Sequence, residues 1–397
     1  MKCVETPLRE IFTFSNGINF NKSAYSPGVK LIGVSNFGNR FSPDYEELQE
    51  INRKFVRVGD YLRNGDIIFV RSNGNKELVG RCMLIKDILQ PVTFSGFCIR
   101  ARIKNTREHD PTFFTYYFKS AAFRKAISGN AVGANIQNLS QERLSNYIAC
   151  VPDIVSQRKI ANILSTYDIL IENNQKQIKL LEEAAQRLYK EWFVDLRFPG
   201  HENTKITDGV PEGWKIQTLS QIADVVMGQS PKSEFYNQNG QGLPFHQGVG
   251  SYGTRFVVDK IYSTSFTRIA EAGSILFSVR APVGRLNLTR NRVVIGRGLA
   301  AVNHRLGKQS YLFYLLKEHF FKDDVIGNGA IFASISKDEL LAQQFTIPVS
   351  NLIEQFNVIV SDMDGRIAEL AEQVTLLIEA RDRLLPKLMS GEIEHIS

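Results

Sequence analysis

Arginine residues dominate one stretch in the second half of the chain. Between Glu271 and Glu318 there is no Asp or Glu, yet the stretch holds eight Lys and Arg residues. The planar guanidinium fork pairs with phosphate oxygens or with the O6 and N7 edge of guanine. The run therefore suits DNA recognition, although a solvated basic surface is the alternative. Its candidate contacts are Arg280, Arg285, Arg290, Arg292 and Arg297.

The first half of the chain carries a thinner set of the same residue types. Asn and Gln read adenine through two hydrogen bonds, so amides in loops join the candidates. A loop Asn is more often only a turn former, and each amide is weak by itself. The remaining predicted DNA contacts are Arg71, Asn73, Asn75, Lys76, Arg100, Arg102, Asn135, Gln137 and Gln229.

Motifs for catalysis are missing from the sequence. There is no GxxxxGK[ST] phosphate loop, no acid or amide followed by two prolines and an aromatic residue, and no acid pair with a neighbouring lysine. Cys3, Cys82, Cys98 and Cys150 form no CxxC pair, and the six histidines have no metal-ligand spacing. We expect a binding protein without a metal or a catalytic site, whose thiols are reduced and partly buried.

Two long helices must position these loops. Apolar residues recur with alternating steps of four and three, which predicts a coiled-coil seam, and the whole seam repeats 196 residues later. Asn174 is the polar seam residue that would set the register, and Arg381 is expected to lie at the edge and point outward. The first seam is Ile160, Leu164, Tyr167, Ile171, Asn174, Ile178, Leu181, Ala185, Leu188 and Trp192; the second is Phe356, Val360, Met363, Ile367, Leu370, Val374, Leu377, Arg381, Leu384 and Leu388.

The repeat extends upstream of the helices. Residues 139–144 and 335–340 align at the same offset, and weaker echoes such as Gly17 with Gly228 continue backwards with drifting offsets. A duplication is therefore predicted. It divides the chain into globular domain 1 (1–150), helical region 1 (151–200), globular domain 2 (201–348) and helical region 2 (349–397).

Each globular domain is predicted to be mixed α and β. Buried strands are expected near residues 65–70, 97–103 and 274–279, and helices over 113–127 and 311–321. The fold class is α+β: two repeated domains separated by two long helices that pair as an antiparallel coiled coil. A helix of 33 residues spans about 50 Å, more than one turn of duplex DNA.

Charge separates these parts. Lys and Arg exceed Asp and Glu by eight over 1–150 and by four over 201–348, are balanced over 151–200, and fall five short over 349–397. Two basic domains suit two polyanion-binding surfaces. No apolar run is long enough to span a bilayer, so a cytoplasmic protein without a membrane partner is expected.

Several of these segments resemble the conserved regions of type I restriction-modification specificity subunits. They are the repeated segments 129–164 and 327–360, Val210-Pro211-Glu212-Gly213-Trp214, and the closing 387–393. The resemblance implies that each globular domain is a target-recognition domain that reads one half of a bipartite, asymmetric sequence in double-stranded DNA. It also implies that partner modification and restriction subunits methylate adenine and cleave. S-adenosylmethionine, ATP and Mg would then be bound by those partners and not by this chain.

Other functions remain open at this point. A related system in which modification and cleavage share one polypeptide would use a similar specificity subunit. A stand-alone DNA methyltransferase or nuclease, and a coiled-coil scaffold without a DNA role, are weaker alternatives. We also expect the modification subunits to dock on the acidic outer face of 349–397 and on the flanks of the domains.

Overall fold

The chain forms two compact units, each containing one half of each long helix. The computed structural model describes residues 2–38, 40–72, 78–128, 138–320 and 334–393. Unit 1 comprises Met1–Gln175 with Glu372–Ser397, and unit 2 comprises Lys176–Ala371. The division into four sequence segments stays a prediction, since the compact units divide the chain differently.

Unit 1 is built on a four-stranded antiparallel sheet with strand order β2-β8-β5-β6, beside a three-stranded sheet β4-β3-β7 and a pair β1-β9. Its strands are β1 (Cys3–Pro7), β2 (Phe12–Asn16), β3 (Tyr25–Ile32), β4 (Gln49–Ile51), β5 (Ile67–Val70), β6 (Cys82–Leu84), β7 (Val92–Phe94), β8 (Cys98–Ile103) and β9 (Ile148–Pro152). Its helices are α1 (Leu8–Ile11), α2 (Pro111–Lys119), α3 (Ala121–Ser128), α4 (Gln141–Asn146) and the first part of α5 (Ile154–Tyr189).

Unit 2 repeats this plan with the sheet β13-β21-β18-β19, a five-stranded sheet β14-β16-β15-β20-β17, and the pairs β12-β22 and β10-β11. Its strands are β10 (Ile206–Thr207), β11 (Val210–Pro211), β12 (Lys215–Thr218), β13 (Ala223–Met227), β14 (Tyr236–Asn237), β15 (Leu243–His246), β16 (Tyr262–Ser263), β17 (Ile269–Ala270), β18 (Ile275–Ser278), β19 (Leu286–Leu288), β20 (Val293–Ile295), β21 (Leu299–His304) and β22 (Gln344–Ile347). Its helices are α6 (Leu219–Ile222), α7 (Gln309–Phe320) and α8 (Lys337–Leu341), together with the last part of α5 and the first part of α9 (Ser350–Ser390).

Burial explains the central strands. All four residues of β5 and all four of β18 are buried, as apolar runs between turn residues predict. In unit 1 the sheet packs against α2 through aromatic contacts, such as the edge-on pair Phe12 and Phe114, whose ring centroids lie 5.0 Å apart. The prediction of two repeated domains of mixed α and β structure is confirmed.

One predicted helix is two helices. The sequence predicts one continuous helix over 113–127. In the structure the backbone of Ser120 is extended, and it separates α2 from α3. The Ser120 hydroxyl oxygen accepts a hydrogen bond from the Phe123 N–H at 3.3 Å, so it caps the start of α3. Serine side chains compete for backbone hydrogen bonds in this way. The cap at Ser120 therefore sets a helix boundary, although the apolar periodicity continues across it.

The two long helices run antiparallel within each unit. In unit 1, Asp168 of α5 pairs with Arg381 of α9, and Asn174 Nδ2 donates to Gln373 Oε1 at 3.0 Å. In unit 2, Ile178 packs with Leu370. None of the predicted seam residues is exposed, although eight are only half-buried: Tyr167, Leu181, Leu188, Met363, Val374, Leu377, Arg381 and Leu384.

Two expectations about single residues were wrong. Arg381 does not point outward at the helix edge, because its guanidinium pairs with the buried Asp168.

Cys3 and Cys150 are joined by a disulfide, whereas Cys82 and Cys98 are free and buried. The pairing of β1 with β9 brings residues 147 positions apart together, which spacing in the sequence does not show. Burial raises the pKa of the Cys82 thiol to about 11 and that of Cys98 to about 12, so both stay neutral.

Candidate nucleic-acid interface

In unit 2 one edge of the central sheet gathers several predicted contacts. We call this edge the loop end of unit 2: it is where β13 and β18 end and β21 begins, and it comprises residues 228–231, 279–285 and 296–298. Gln229, Arg280, Arg285 and Arg297 lie here and are exposed. Because neighbouring antiparallel strands alternate in direction, their loops meet at one edge and bring these side chains together.

Side-chain hydrogen bonds organise this loop end. The Ser230 hydroxyl donates to Gln247 Oε1 at 2.7 Å, and the Arg297 backbone N–H donates to Ser230 Oγ at 3.2 Å. Thr267 Oγ1 donates to the Gln229 carbonyl at 2.5 Å. The backbone that carries Gln229 and Arg297 is therefore tied to its neighbours, while the two side chains themselves remain exposed.

The arginine run does not form one surface. Leu288 pairs with Ile275 at the start of β18, so the following Arg290 and Arg292 lie at the sheet edge opposite the loop end. The Arg292 guanidinium pairs with Glu271 at 3.2 Å, and that of Arg290 lies 4.5 Å from the centre of the Phe256 ring. Arg280, Arg285 and Arg297 are thus separated from the other two.

Unit 1 has an equivalent edge, which we call the loop end of unit 1 and which comprises residues 16–20, 71–72 and 95–97. Arg71 lies here, and its Nη1 donates to the Gly96 carbonyl at 3.3 Å. Phe97 is 62% exposed. Asn73, Asn75, Lys76, Asn135 and Gln137 lie outside the described residues.

Arg100 and Arg102 serve the interior of unit 1. Arg102 makes a two-point contact with the buried Asp66, with both N–O distances at 2.7 Å, and this hydrogen bonding raises the pKa of Arg102. Arg100 Nη1 donates to the Gly59 carbonyl at 2.9 Å, and burial lowers its pKa. Both guanidinium groups are engaged by the fold of unit 1, so we do not include them among the proposed DNA contacts.

The two loop ends share their backbone framework. Gly17 donates to the Cys98 carbonyl at 3.2 Å, and Gly228 donates to the Leu299 carbonyl at 2.9 Å. Bridges join Ser72 with Asn138 and Arg280 with Ser334. Residues at corresponding places in the two loop ends therefore make corresponding backbone contacts.

One aspartate in each unit, the buried Asp168 and the half-buried Asp364, anchors the sheet-and-helix domain to the long helices, and sequence reasoning missed both. Asp168 accepts from the Tyr116 hydroxyl of α2 and pairs with Arg381. Asp364, at the same repeat position, lies 3.5 Å from the Tyr314 hydroxyl of α7 and pairs with Arg255 at 2.5 Å. Burial is the largest cause that raises the pKa of both tyrosines, which remain neutral donors. The identity of the two aspartates at an offset of 196 was the signal in the sequence.

The arginines that pair with the two aspartates lie in different elements of the fold. Arg381 comes from α9, whereas Arg255 comes from a loop of unit 2 and lies with its guanidinium 3.7 Å from the centre of the Phe313 ring. Only 3% of the Arg255 side chain is exposed, against 21% of Arg381. The arginine is therefore the more deeply buried in unit 2, whereas the aspartate is the more deeply buried in unit 1, where Asp168 is 10% exposed against 18% for Asp364.

Within the described ranges there is no group of three His, Cys, Asp or Glu side chains that could hold a metal ion. The helices of those ranges are also too short or too polar to cross a membrane. Each unit presents one loop end of the same backbone framework, and duplicated polar loops of this kind are typical of a binding protein.

Comparison with known proteins agrees with that class. Residues 3–183 and 211–380 match the model of the type I restriction modification DNA specificity domain. A candidate type I restriction enzyme specificity subunit, MjaX, of Methanocaldococcus jannaschii is 30% identical over 339 residues, covering 83% of this chain and 78% of that protein. The HindI specificity subunit of Haemophilus influenzae is 21% identical, and the match covers 94% of this chain and 96% of that protein. The crystal structure of a type I restriction-modification S subunit from M. genitalium shares the fold, with a TM-score of 0.61 and 17% identity. The match covers 98% of this chain and 96% of that one.

The duplicated family match spans most of the chain. The protein belongs to the type I restriction-modification DNA specificity family. The predicted resemblance is confirmed, and the relatives give no support to a fused modification-cleavage system.

Proposed function

We propose that this chain is the non-catalytic specificity subunit of a type I complex and reads a bipartite, asymmetric DNA sequence. Each loop end contacts one half-site. The observation that carries the proposal is that one backbone framework occurs twice with different exposed side chains, Phe97 beside the half-buried Arg71 in unit 1 and Gln229, Arg280 and Arg297 in unit 2. A duplicated framework with divergent tips suits two different half-sites.

We assign the methylation and the cleavage of DNA to partner subunits. Modification subunits would use S-adenosylmethionine to methylate adenine, and restriction subunits would use ATP and Mg to cleave, in the cytoplasm where the host DNA lies. The names of the relatives, specificity subunits of type I restriction enzymes, support these partners. The exposed acidic side chains of α9, including Glu354, Asp362, Glu369 and Glu372, support docking of a partner on this helix.

The test is genome-wide methylation mapping of the host with and without this gene. We expect one two-part motif to disappear on deletion and to return with the wild-type gene. Exchanging Arg280 and Arg297 for alanine should relax one half of the motif only, while Arg290→Ala, at the opposite sheet edge, should leave both halves intact. A host that expresses its modification subunits and loses no motif would refute the proposal.

A further inference from the structure

The same turn occurs at the tip of each loop end. In unit 1 it joins β7 to β8 through Ser95-Gly96-Phe97, and in unit 2 it joins β20 to β21 through Gly296-Arg297-Gly298. The residue after each turn donates its N–H back to the first turn residue, Cys98 to Ser95 at 2.9 Å and Leu299 to Gly296 at 3.0 Å. The two turns are thus equivalent in backbone and different in side chain.

Contacts from two other segments of the chain hold the turn of unit 1. The N–H groups of Arg71 and Ser72 donate to the Phe97 carbonyl at 2.8 and 3.3 Å, and the Gly96 N–H donates to the Ile18 carbonyl at 2.7 Å. A Cβ on Gly96 would lie 2.1 Å from Asn19 Oδ1. The side chain of Phe97 is therefore presented by a fixed backbone, which lowers the entropy cost of a contact made through it.

The turn of unit 2 is held in the same manner. The Val279 N–H donates to the Gly298 carbonyl at 3.0 Å, and the Arg297 N–H is bound by Ser230. A Cβ on Gly298 would lie 2.6 Å from the Gln247 carbonyl oxygen. The side chain that projects here is the exposed guanidinium of Arg297, whereas unit 1 projects an aromatic ring.

A single exposed apolar side chain is ordinary on a protein surface. Phe97, however, also lines a cavity of about 520 Å³. The other lining residues combine aromatic rings with amide, hydroxyl and carboxylate groups, and they include Phe20, Tyr25, Asn19, Gln49 and Glu47. Such a lining suits the flat face and polar edge of a nucleobase, since the carboxylate disfavours a phosphate and the rings favour stacking.

We propose that Phe97 is a specificity-determining contact of unit 1 that packs against a base of its half-site, partly unstacked from its neighbour, at the mouth of this cavity. At the equivalent turn of unit 2, the guanidinium of Arg297 pairs with a phosphate or donates hydrogen bonds to guanine. The two halves of the target are thus held by contacts of different chemistry. The inference rests on the proposed function, and its test is designed to fail separately from it.

The experiment measures binding of the complex, reconstituted with its modification subunits, to target duplex over a series of KCl concentrations. Phe97→Ala should weaken binding about tenfold with an unchanged salt slope, because base stacking is not ionic. Arg297→Ala should reduce the salt slope by about one. Phe97→Trp should retain most of the affinity. Matched controls are Leu89→Ala, an exposed apolar residue away from the loop end, and Arg290→Ala; both should bind as the wild type does.

Duplexes with substitutions in one half-site assign each residue. Phe97→Ala should lose discrimination in one half only, and Arg297→Ala in the other half or in neither. If Phe97→Ala binds and discriminates as the wild type does, or loses affinity through a smaller salt slope, the inference is overturned. If the wild-type complex itself shows no sequence preference, the proposed function fails instead.

Discussion

At the scale of the residue, buried ion pairs matter more than the many surface charges. Arg255 is 4% exposed and is compensated by Asp364, with Glu182 further away at 3.8 Å. Burial raises the pKa of Glu182, which makes it a weaker counter-charge than a free carboxylate. Asp364 therefore carries most of the compensation for a charge that lies out of reach of water.

Asp364→Asn should destabilise unit 2 by about 3 kcal/mol, because breaking a buried pair leaves an uncompensated charge. Asp168→Asn should cost less, since Arg381 is more exposed and keeps Asp382 as a second partner at 2.8 Å. Urea unfolding of the purified chain measures both free energies of unfolding. As a control, Glu369→Gln at the exposed pair with Arg366 should cost at most about 1 kcal/mol. Equal, small effects for all three variants would contradict the assignment of the anchors.

At the scale of the element, close backbone approach sets where the loops begin. A Cβ on Gly17 would lie 2.3 Å from the carbonyl oxygens of Phe94 and Ser95, and one on Gly228 would lie 2.2 Å from that of Gly296. No side chain fits between these segments, so glycine holds the start of each loop end against the β7–β8 or β20–β21 turn. The weak sequence echo of Gly17 with Gly228 has this physical cause.

Gly17→Ala and Gly228→Ala should each destabilise their own unit by about 1–3 kcal/mol, because the strand must move away from the turn. Thermal unfolding of each variant measures the loss. Gly59→Ala and Gly250→Ala serve as controls, as nothing lies within 4 Å of an added Cβ at either position. If the first pair unfolded at the same temperature as the controls, close packing would not be the reason for these glycines.

At the scale of the whole molecule, the two ends of the sequence fold into one unit. Leu388 of α9 is 2% exposed and belongs to the core of unit 1, where Leu384, Leu385 and Met389 also pack. The last helix therefore contributes both an acidic outer face and part of a core that begins at Leu8. Deleting it would disturb both, so partner docking is better tested with charge substitutions on its exposed face.

Truncation after Ala371 should unfold unit 1, although the residues removed lie far from 1–175 in the sequence. Limited proteolysis is expected to degrade unit 1 quickly and to leave unit 2 protected. Leu388→Ala should cost about 2–5 kcal/mol, and Leu376→Ala, which is 58% exposed on the same helix, far less. A truncated chain whose unit 1 resists protease would disprove this dependence.

The duplication, the helix seam and the residue types of the loops are readable from the amino-acid sequence alone. Apolar periodicity and a constant offset of 196 report secondary structure and repetition directly, because both depend only on residues close in sequence or on copies of them. The same information supported the family before any contact was known. Serine capping at Ser120 was the exception within the elements, because a local hydrogen bond interrupted an otherwise helical pattern.

Which charged residues face outward depends on contacts between segments that are far apart in the sequence. Arg100 and Arg297 look alike in sequence, yet one binds the Gly59 carbonyl and the other is exposed at a turn. Likewise the partner of Asp168 lies 213 residues away. Strand pairing and helix packing bring such residues together, and the free energy of an arginine depends on those neighbours rather than on its place in the chain.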